Sequence, residues 1–126
     1  MTHSTTLSKD GVELAWSSTG KGEPALVFIH GFAGDQQQFS GQVEAFAEHH
    51  QVITLDLAGH GKSGHNRAQW GAATFADDVI AVMDAAKVEK AILIGHSMGG
   101  IVMLETANRY PERVSGLVAI DTLQNI

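Results

Sequence analysis

Residues 91–110 read AILIGHSMGGIVMLETANRY, and this stretch decides the fold. Residues 91–95 are an apolar run that does not alternate with period two, which is typical of a strand buried on both faces. Residues 101–110 predict a helix, which Pro111 stops. A strand that passes within a few residues into a helix is the repeating unit of an α/β sheet.

The same alternation extends along the chain. Three further apolar runs predict strands: ALVFI (25–29), VITLDL (52–57) and GLVAID (116–121). Residues 35–50 and 74–87 carry apolar side chains at helical spacing, and we expect both stripes to face the core. The stripes consist of Phe39, Val43 and Phe46 in the first segment, and of Phe75, Val79, Val82, Met83 and Ala86 in the second. Strand and helix thus alternate three times, which predicts an α/β sheet with right-handed crossovers.

The ends and joints of these elements have their own signals. Lys9-Asp10-Gly11 is a turn signal between two short strand-like pieces, which predicts an antiparallel hairpin at the sheet edge. Thr74 and Asp77 have the spacing of a capping box, and 65–71 is predicted to be a loop. We therefore expect a three-layer α/β sandwich: a mostly parallel sheet with an N-terminal hairpin and helices on both faces. Residues 1–126 are expected to form a single domain without a linker.

The composition excludes several functional classes. Fourteen acidic and eight basic residues give a net charge of −6, which argues against a nucleic acid or an anionic membrane as partner. The chain has no cysteine, so disulfides, thiolate metal sites and a cysteine nucleophile are excluded. Residues 1–16 lack the pattern of a signal peptide, and no apolar run is long enough for a membrane span. We expect a cytoplasmic protein without a cofactor or a metal site.

Three glycine-containing turns follow predicted strands: HGFAGD (30–35), AGHGKSG (58–64) and GHSMGG (95–100). We expect them to lie together, because ligands of a parallel sheet bind beyond the carboxyl ends of the strands. Ser97 stands in the third turn, between strand and helix. A bend of this kind requires small residues beside the serine, as Gly95 and Gly99 are.

Gly100 would let the following helix pack closely on the sheet. The Ser97 hydroxyl is predicted to project at the N-terminus of this helix, where amides and the helix dipole favour negative charge.

In this order, the three turns resemble the N-terminal half of an α/β-hydrolase. HGF (30–32) resembles the oxyanion-loop motif of that family, DLAGHGKS (56–63) resembles its turn after the fourth strand, and GHSMGG resembles its nucleophile elbow. The resemblance runs from about residue 7 to the end and implies an incomplete fold of about the first six strands. It implies that Ser97 is the nucleophile and that the backbone amides of Phe32 and Met98 form an oxyanion hole.

The resemblance also implies an acid and a histidine after the elbow. Asp121 ends the run GLVAID, where some members of the family place the acid, whereas more of them place it after the next strand. No histidine occurs among the 29 residues after Ser97, so the isolated chain is expected to be inactive. His30, Gly31 and His96 are expected to support the turns rather than to act as bases.

Two interpretations of function stay open. The first is a serine hydrolase that attacks an ester, lactone or related small-molecule carbonyl through Ser97. The second is a shortened half-fold that acts as a non-catalytic scaffold and self-associates through the C-terminal strand edge.

A phosphate site at 58–64 is disfavoured. A Walker A motif would need glycine where Asp56 stands. Gly59, Gly61 and Gly64 do fit G-x-G-x-x-G, but the next predicted helix begins about ten residues too late to meet a pyrophosphate.

Overall fold

The structure is a computed structural model that describes residues 2–122. Within these residues, six strands form one sheet and three α-helices flank it. The strands are β1 (Thr2–Leu7), β2 (Glu13–Thr19), β3 (Ala25–Ile29), β4 (Val52–Leu55), β5 (Ala91–His96) and β6 (Val114–Ile120). The helices are α1 (Ser40–Phe46), α2 (Ala72–Ala85) and α3 (Met98–Arg109), and short 3₁₀ helices cover Gln36–Phe39 and Pro111–Arg113.

The strand order in the sheet is β1-β2-β4-β3-β5-β6. The strands β4, β3, β5 and β6 are mutually parallel, whereas β1 pairs with β2 and β2 pairs with β4 in antiparallel fashion. The hairpin turn lies where the sequence predicts it, and the Ser8 amide donates to the Val12 carbonyl across it. The expected fold class, a mostly parallel sheet with an N-terminal antiparallel hairpin, is confirmed.

The central strand β3 is covered on both faces of the sheet, which gives the fold its three layers. Val27 and Ile29 pack into the larger hydrophobic cluster, which also includes residues of α2 and α3. Leu26 and Phe28 point to the other face and pack in a smaller cluster with Phe39, beneath α1. Because β3 has a cover on both faces, its sequence is apolar at every position instead of alternating.

The first helical segment is shorter than predicted. The Asp35 carboxylate accepts a hydrogen bond from the Gln37 amide at 2.8 Å and starts a 3₁₀ helix, which α1 follows only from Ser40. Phe39 and Val43 are buried, whereas Phe46 at the end of α1 is 44% exposed. The prediction for Phe46 holds in part, because its ring lies 6.4 Å from that of the buried Phe28 between centroids.

The predicted capping box at Thr74 and Asp77 was also wrong. The N-cap of α2 is Gly71, so the helix begins at Ala72. The Thr74 hydroxyl reaches back from the first turn, donates to the Gly71 carbonyl at 2.9 Å and accepts from the Gly71 amide at 3.2 Å. The Asp77 carboxylate instead accepts a hydrogen bond from the hydroxyl of Tyr110, the residue that follows α3.

Residues 65–71 form the predicted loop, and a buried arginine anchors it. The Arg67 side chain is fully buried and donates to the Asp78 carboxylate of α2 at 2.7 and 2.8 Å. It also donates to Asp10 in the hairpin turn at 2.8 and 2.9 Å, and its guanidinium lies over the rings of Trp70 and Phe75. Hydrogen bonding to Arg67 lowers the pKa of Asp10 to about 2.

Candidate active site

The bend between β5 and α3 places Ser97 in a strained backbone conformation. Its φ is 55° and its ψ is −121°, a region that non-glycine residues rarely adopt. A methyl group on Gly95 would lie 2.5 Å from the Gly99 carbonyl oxygen, and one on Gly99 would lie 2.1 Å from the Ile29 carbonyl oxygen. Both positions thus require glycine, since the backbone crosses itself and β3 at contact distance.

Gly100 has a different neighbour from the one expected. A methyl group there would lie 2.4 Å from the side chain of Thr122, which follows β6, rather than against a strand of the sheet. The Thr122 hydroxyl donates a hydrogen bond to the Ser97 carbonyl oxygen at 2.5 Å. No local signal indicates this contact, because the two residues are 25 positions apart in the chain.

The turn at 30–35 lies directly against Ser97, and we call it the oxyanion turn after the motif that HGF (30–32) resembles. A methyl group on Gly31 would lie 3.2 Å from the Ser97 hydroxyl oxygen and 2.8 Å from its Cβ. The Ser97 side chain is solvent-exposed, so a substrate can reach the hydroxyl. The turn at 58–64 joins the same region through His60, whose ring contacts Phe32 edge-on at 5.7 Å between centroids.

Two backbone amides follow the residues in contact here: that of Met98 follows Ser97, and that of Phe32 follows Gly31. Met98 is the first residue of α3, so its amide has no acceptor within the helix. The Phe32 amide makes no hydrogen bond to any other residue of the described range 2–122. Phe32 is 79% exposed, and its ring lies beside the imidazole of His60.

His30 is fully buried between two backbone groups. Its Nε2 accepts a hydrogen bond from the Leu57 amide at 2.9 Å, and its Nδ1 donates to the Gly31 carbonyl oxygen at 2.7 Å. An amide only donates and a carbonyl only accepts, so the ring must be neutral and carry its proton on Nδ1. Burial lowers the pKa of His30 below its ordinary value of 6.5.

Asp56 links two of the turns, a role that the sequence analysis missed. Its buried carboxylate accepts from the Gln36 amide, after the oxyanion turn, and from the Lys62 amide, both at 2.9 Å. A side chain at Gly61 would collide with it. A lone acid at the end of an apolar strand, directly before a glycine turn, is the signal that could have indicated this.

The remaining candidates lie around the elbow. His96 is held on one side by Gln38, whose side-chain amide donates to His96 Nδ1 at 3.1 Å. Asp121 follows β6 directly, and the last carbonyl of that strand, at Ile120, lies 3.4 Å from the Ser97 amide. The end of β6 is therefore beside the elbow, while the role of Asp121 as an acid stays a prediction.

Two features are absent from the described residues 2–122. No group of three or more His, Asp or Glu side chains in residues 2–122 has the arrangement to hold a metal ion. Nor does any helix in that range have the length and apolar character needed to cross a membrane.

Comparison with known proteins decides the family. The family model described as alpha/beta hydrolase fold matches residues 24–125. The chain belongs to the α/β-hydrolase fold family. The matched residues include the turn at 30–35, the turn at 95–100 and the parallel strands β3 to β6.

Three proteins indicate which α/β-hydrolases the chain is similar to. A candidate esterase/lipase of Haemophilus influenzae is 41% identical over 98 residues, which are 78% of this chain and 34% of that protein. The structure of an N-acyl homoserine lactone degrading enzyme superposes with a TM-score of 0.88 at 33% identity and covers 96% of this chain and 45% of that one. A thermophilic esterase from Thermogutta terrifontis gives 0.89 at 30% identity, with coverages of 98% and 46%. The chain spans less than half the length of each of these proteins.

Proposed function

We propose that residues 1–126 form the N-terminal portion of a single hydrolase domain and carry the nucleophile of a serine hydrolase. The substrate would be an ester, a lactone or a related small-molecule carbonyl compound. One observation carries the proposal: Ser97 is held exposed at φ 55°, at the N-terminus of α3 and against the oxyanion turn. Strain of this kind persists where the surrounding structure enforces it, and it clusters at active sites. The names of the esterase and lactone-degrading relatives support the same substrate class.

The proposed reaction begins with attack of the Ser97 hydroxyl oxygen on the substrate carbonyl carbon, while a base takes the hydroxyl proton. The amides of Phe32 and Met98 donate to the oxyanion that forms, and one such donor contributes about 10²- to 10³-fold in comparable enzymes. Collapse of the intermediate expels the alcohol with the returned proton and leaves an acyl group on Ser97. Water then hydrolyses the acyl-enzyme by the same steps.

His30 is not available as the base. No histidine follows Ser97 in the chain, and His30 already uses both ring nitrogens in hydrogen bonds to backbone. We therefore propose that the histidine is supplied by polypeptide other than these 126 residues, with Asp121 as a candidate acid. On this proposal the chain alone is inactive.

Hydrolysis of p-nitrophenyl acetate tests the proposal. The chain should be assayed alone and when fused to, or mixed with, the C-terminal half of a related esterase. We expect turnover only in the presence of that half, and its loss in Ser97→Ala. Ser115→Ala, an exposed serine at the start of β6, is the matched control and should keep full activity. Turnover that Ser97→Ala leaves unchanged would refute the proposal.

A second proposal concerns self-association. Leu117, Val118 and Ile120 of β6 are 40%, 46% and 38% exposed, and β6 is the last strand of the sheet in residues 2–122. An apolar edge strand is a template for pairing, so we propose that two copies associate through β6. Light scattering after size-exclusion chromatography should give a dimer that Val118→Lys converts to a monomer. A monomer for the unmodified chain at high concentration would contradict this.

A further inference from the structure

Each proposed oxyanion donor shares a peptide unit with a carbonyl group. The Phe32 amide belongs to the same unit as the Gly31 carbonyl, and the Met98 amide belongs to the same unit as the Ser97 carbonyl. A trans peptide is planar, so its C=O and N–H point in opposite directions. Whatever holds the carbonyl oxygen therefore sets the direction of the amide hydrogen.

The Gly31 carbonyl oxygen accepts two hydrogen bonds. The Gly34 amide donates to it at 3.1 Å across a tight turn, and His30 Nδ1 donates at 2.7 Å. The His30 ring is itself fixed, because its Nε2 accepts from the Leu57 amide just past β4. The direction of the Phe32 amide is thus tied to two strand ends through one buried imidazole.

The Ser97 carbonyl oxygen has the same pattern of partners. The Gly100 amide, three residues later, donates to it at 2.9 Å, and the Thr122 hydroxyl donates at 2.5 Å. Thr122 lies at the close approach to Gly100, where a methyl group on the glycine would lie 2.4 Å away. In both turns, one backbone amide three positions on and one side-chain donor converge on the carbonyl of the donor peptide.

We infer that His30 and Thr122 are positioning residues that orient the two oxyanion amides. His30 would act on Phe32 and Thr122 on Met98, each through the carbonyl oxygen of the shared peptide. The need is greatest at Ser97, because a non-glycine residue with φ 55° returns to an unstrained conformation unless its neighbours prevent it. The role of the amides rests on the proposed function. The two hydrogen-bond clamps, in which His30 holds the Gly31 carbonyl and Thr122 holds the Ser97 carbonyl, can be tested without any activity.

The first experiment uses NMR on the ¹³C,¹⁵N-labelled 126-residue chain. In Thr122→Val, which keeps the shape and removes the hydroxyl, we expect the Ser97 carbonyl ¹³C and Met98 amide ¹⁵N resonances to move. Thr122→Ser should restore both, and Thr5→Val on the exposed face of β1 should move neither. For His30, long-range ¹H–¹⁵N correlation should show the proton on Nδ1. Unmoved resonances in Thr122→Val, or a proton on His30 Nε2, would overturn the corresponding clamp.

The second experiment separates the clamp from the proposed function. In the assembled, ester-hydrolysing form, Thr122→Val should lower kcat about tenfold with little change in KM, which is less than the loss of a whole donor. Thr122→Ser should recover the rate. If Ser97→Ala abolishes turnover while Thr122→Val leaves kcat intact, the positioning role is refuted and the nucleophile stands. If Ser97→Ala keeps full turnover, the proposed function fails, and the NMR result alone decides whether the clamp exists.

Discussion

Replacement of Gly99 by alanine should destabilise the fold, although alanine is ordinarily the better helix former. Gly99 lies in the first turn of α3, and the added methyl group would lie 2.1 Å from the Ile29 carbonyl oxygen of β3 and 2.8 Å from that of His30. Reaching even 3.0 Å from the Ile29 oxygen needs a displacement of about 0.9 Å between α3 and β3. Neither oxygen can rotate away, because both belong to the backbone. Overpacking of this kind costs about 1–3 kcal/mol or more, against a helix-propensity gain of about 1 kcal/mol.

We therefore expect Gly99→Ala to lower the free energy of unfolding by about 2 kcal/mol, which at an m-value of about 2 kcal/mol/M moves the urea midpoint by about 1 M. Circular dichroism and tryptophan fluorescence should report the same midpoint. Gly41→Ala is the matched control: it is also helical, a methyl group there meets no atom within 4 Å, and it should raise stability by about 0.5–1 kcal/mol. A Gly99→Ala midpoint equal to or above that of the unmodified chain would refute the tight crossing of α3 and β3.

Three more predictions follow from particular contacts. Arg67→Met should lower the free energy of unfolding in urea by about 3–5 kcal/mol, because it leaves the nearly fully buried Asp78 carboxylate unpaired. Arg109→Met, at an exposed ion pair, should leave the midpoint within error. Equal effects of the two changes would contradict the buried pair. The free energy of unfolding should fall as the pH is lowered below about 6.5, because the folded state holds His30 neutral and the unfolded state binds the proton more readily. A urea midpoint that stays the same between about pH 7.5 and 5 would argue against this. Gly31→Ala should lower turnover in the assembled form at least tenfold without loss of folding, since its methyl group would lie 3.2 Å from the hydroxyl oxygen of the proposed nucleophile. An unchanged rate would show that the oxyanion turn is not part of the active site.

The elements that could be predicted from the sequence are those with local signals. The strands β3, β4 and β5 appear as continuous apolar runs because each is covered on two faces, whereas the equally apolar β6 is largely exposed. The bend at Ser97 was predictable because Gly95 and Gly99 stand where the backbone approaches itself at contact distance. The loop at 65–71 was predictable from the absence of any periodicity.

Local competition between signals explains the errors in the fold. Thr74 has the side chain of an N-cap, but it acts from the third helical position and secures Gly71 as the cap instead. Phe46 continues the apolar spacing of Phe39 and Val43, but it is the last residue of α1 and stays 44% exposed. A periodic pattern indicates which face of a helix turns inward, and it does not indicate how far the neighbouring elements cover that face.

Contacts between distant residues explain what was missed in the site. Arg67 meets Asp10 across 57 positions, and Thr122 meets Ser97 across 25. Asp56 connects turns that lie on either side of it in the chain, at Gln36 and Lys62. The sequence context of Arg67 and Thr122 carries no signal for these contacts, and only the fold brings their partners within reach.

Labelling with a fluorophosphonate tests most directly whether Ser97 is the reactive serine. After reaction of the assembled form and proteolysis, mass spectrometry should find a single adduct on the peptide that contains Ser97. No adduct should form in Ser97→Ala. Labelling that persists in this variant, or an adduct that maps to the buried Ser17 or Ser63 instead, would contradict the account.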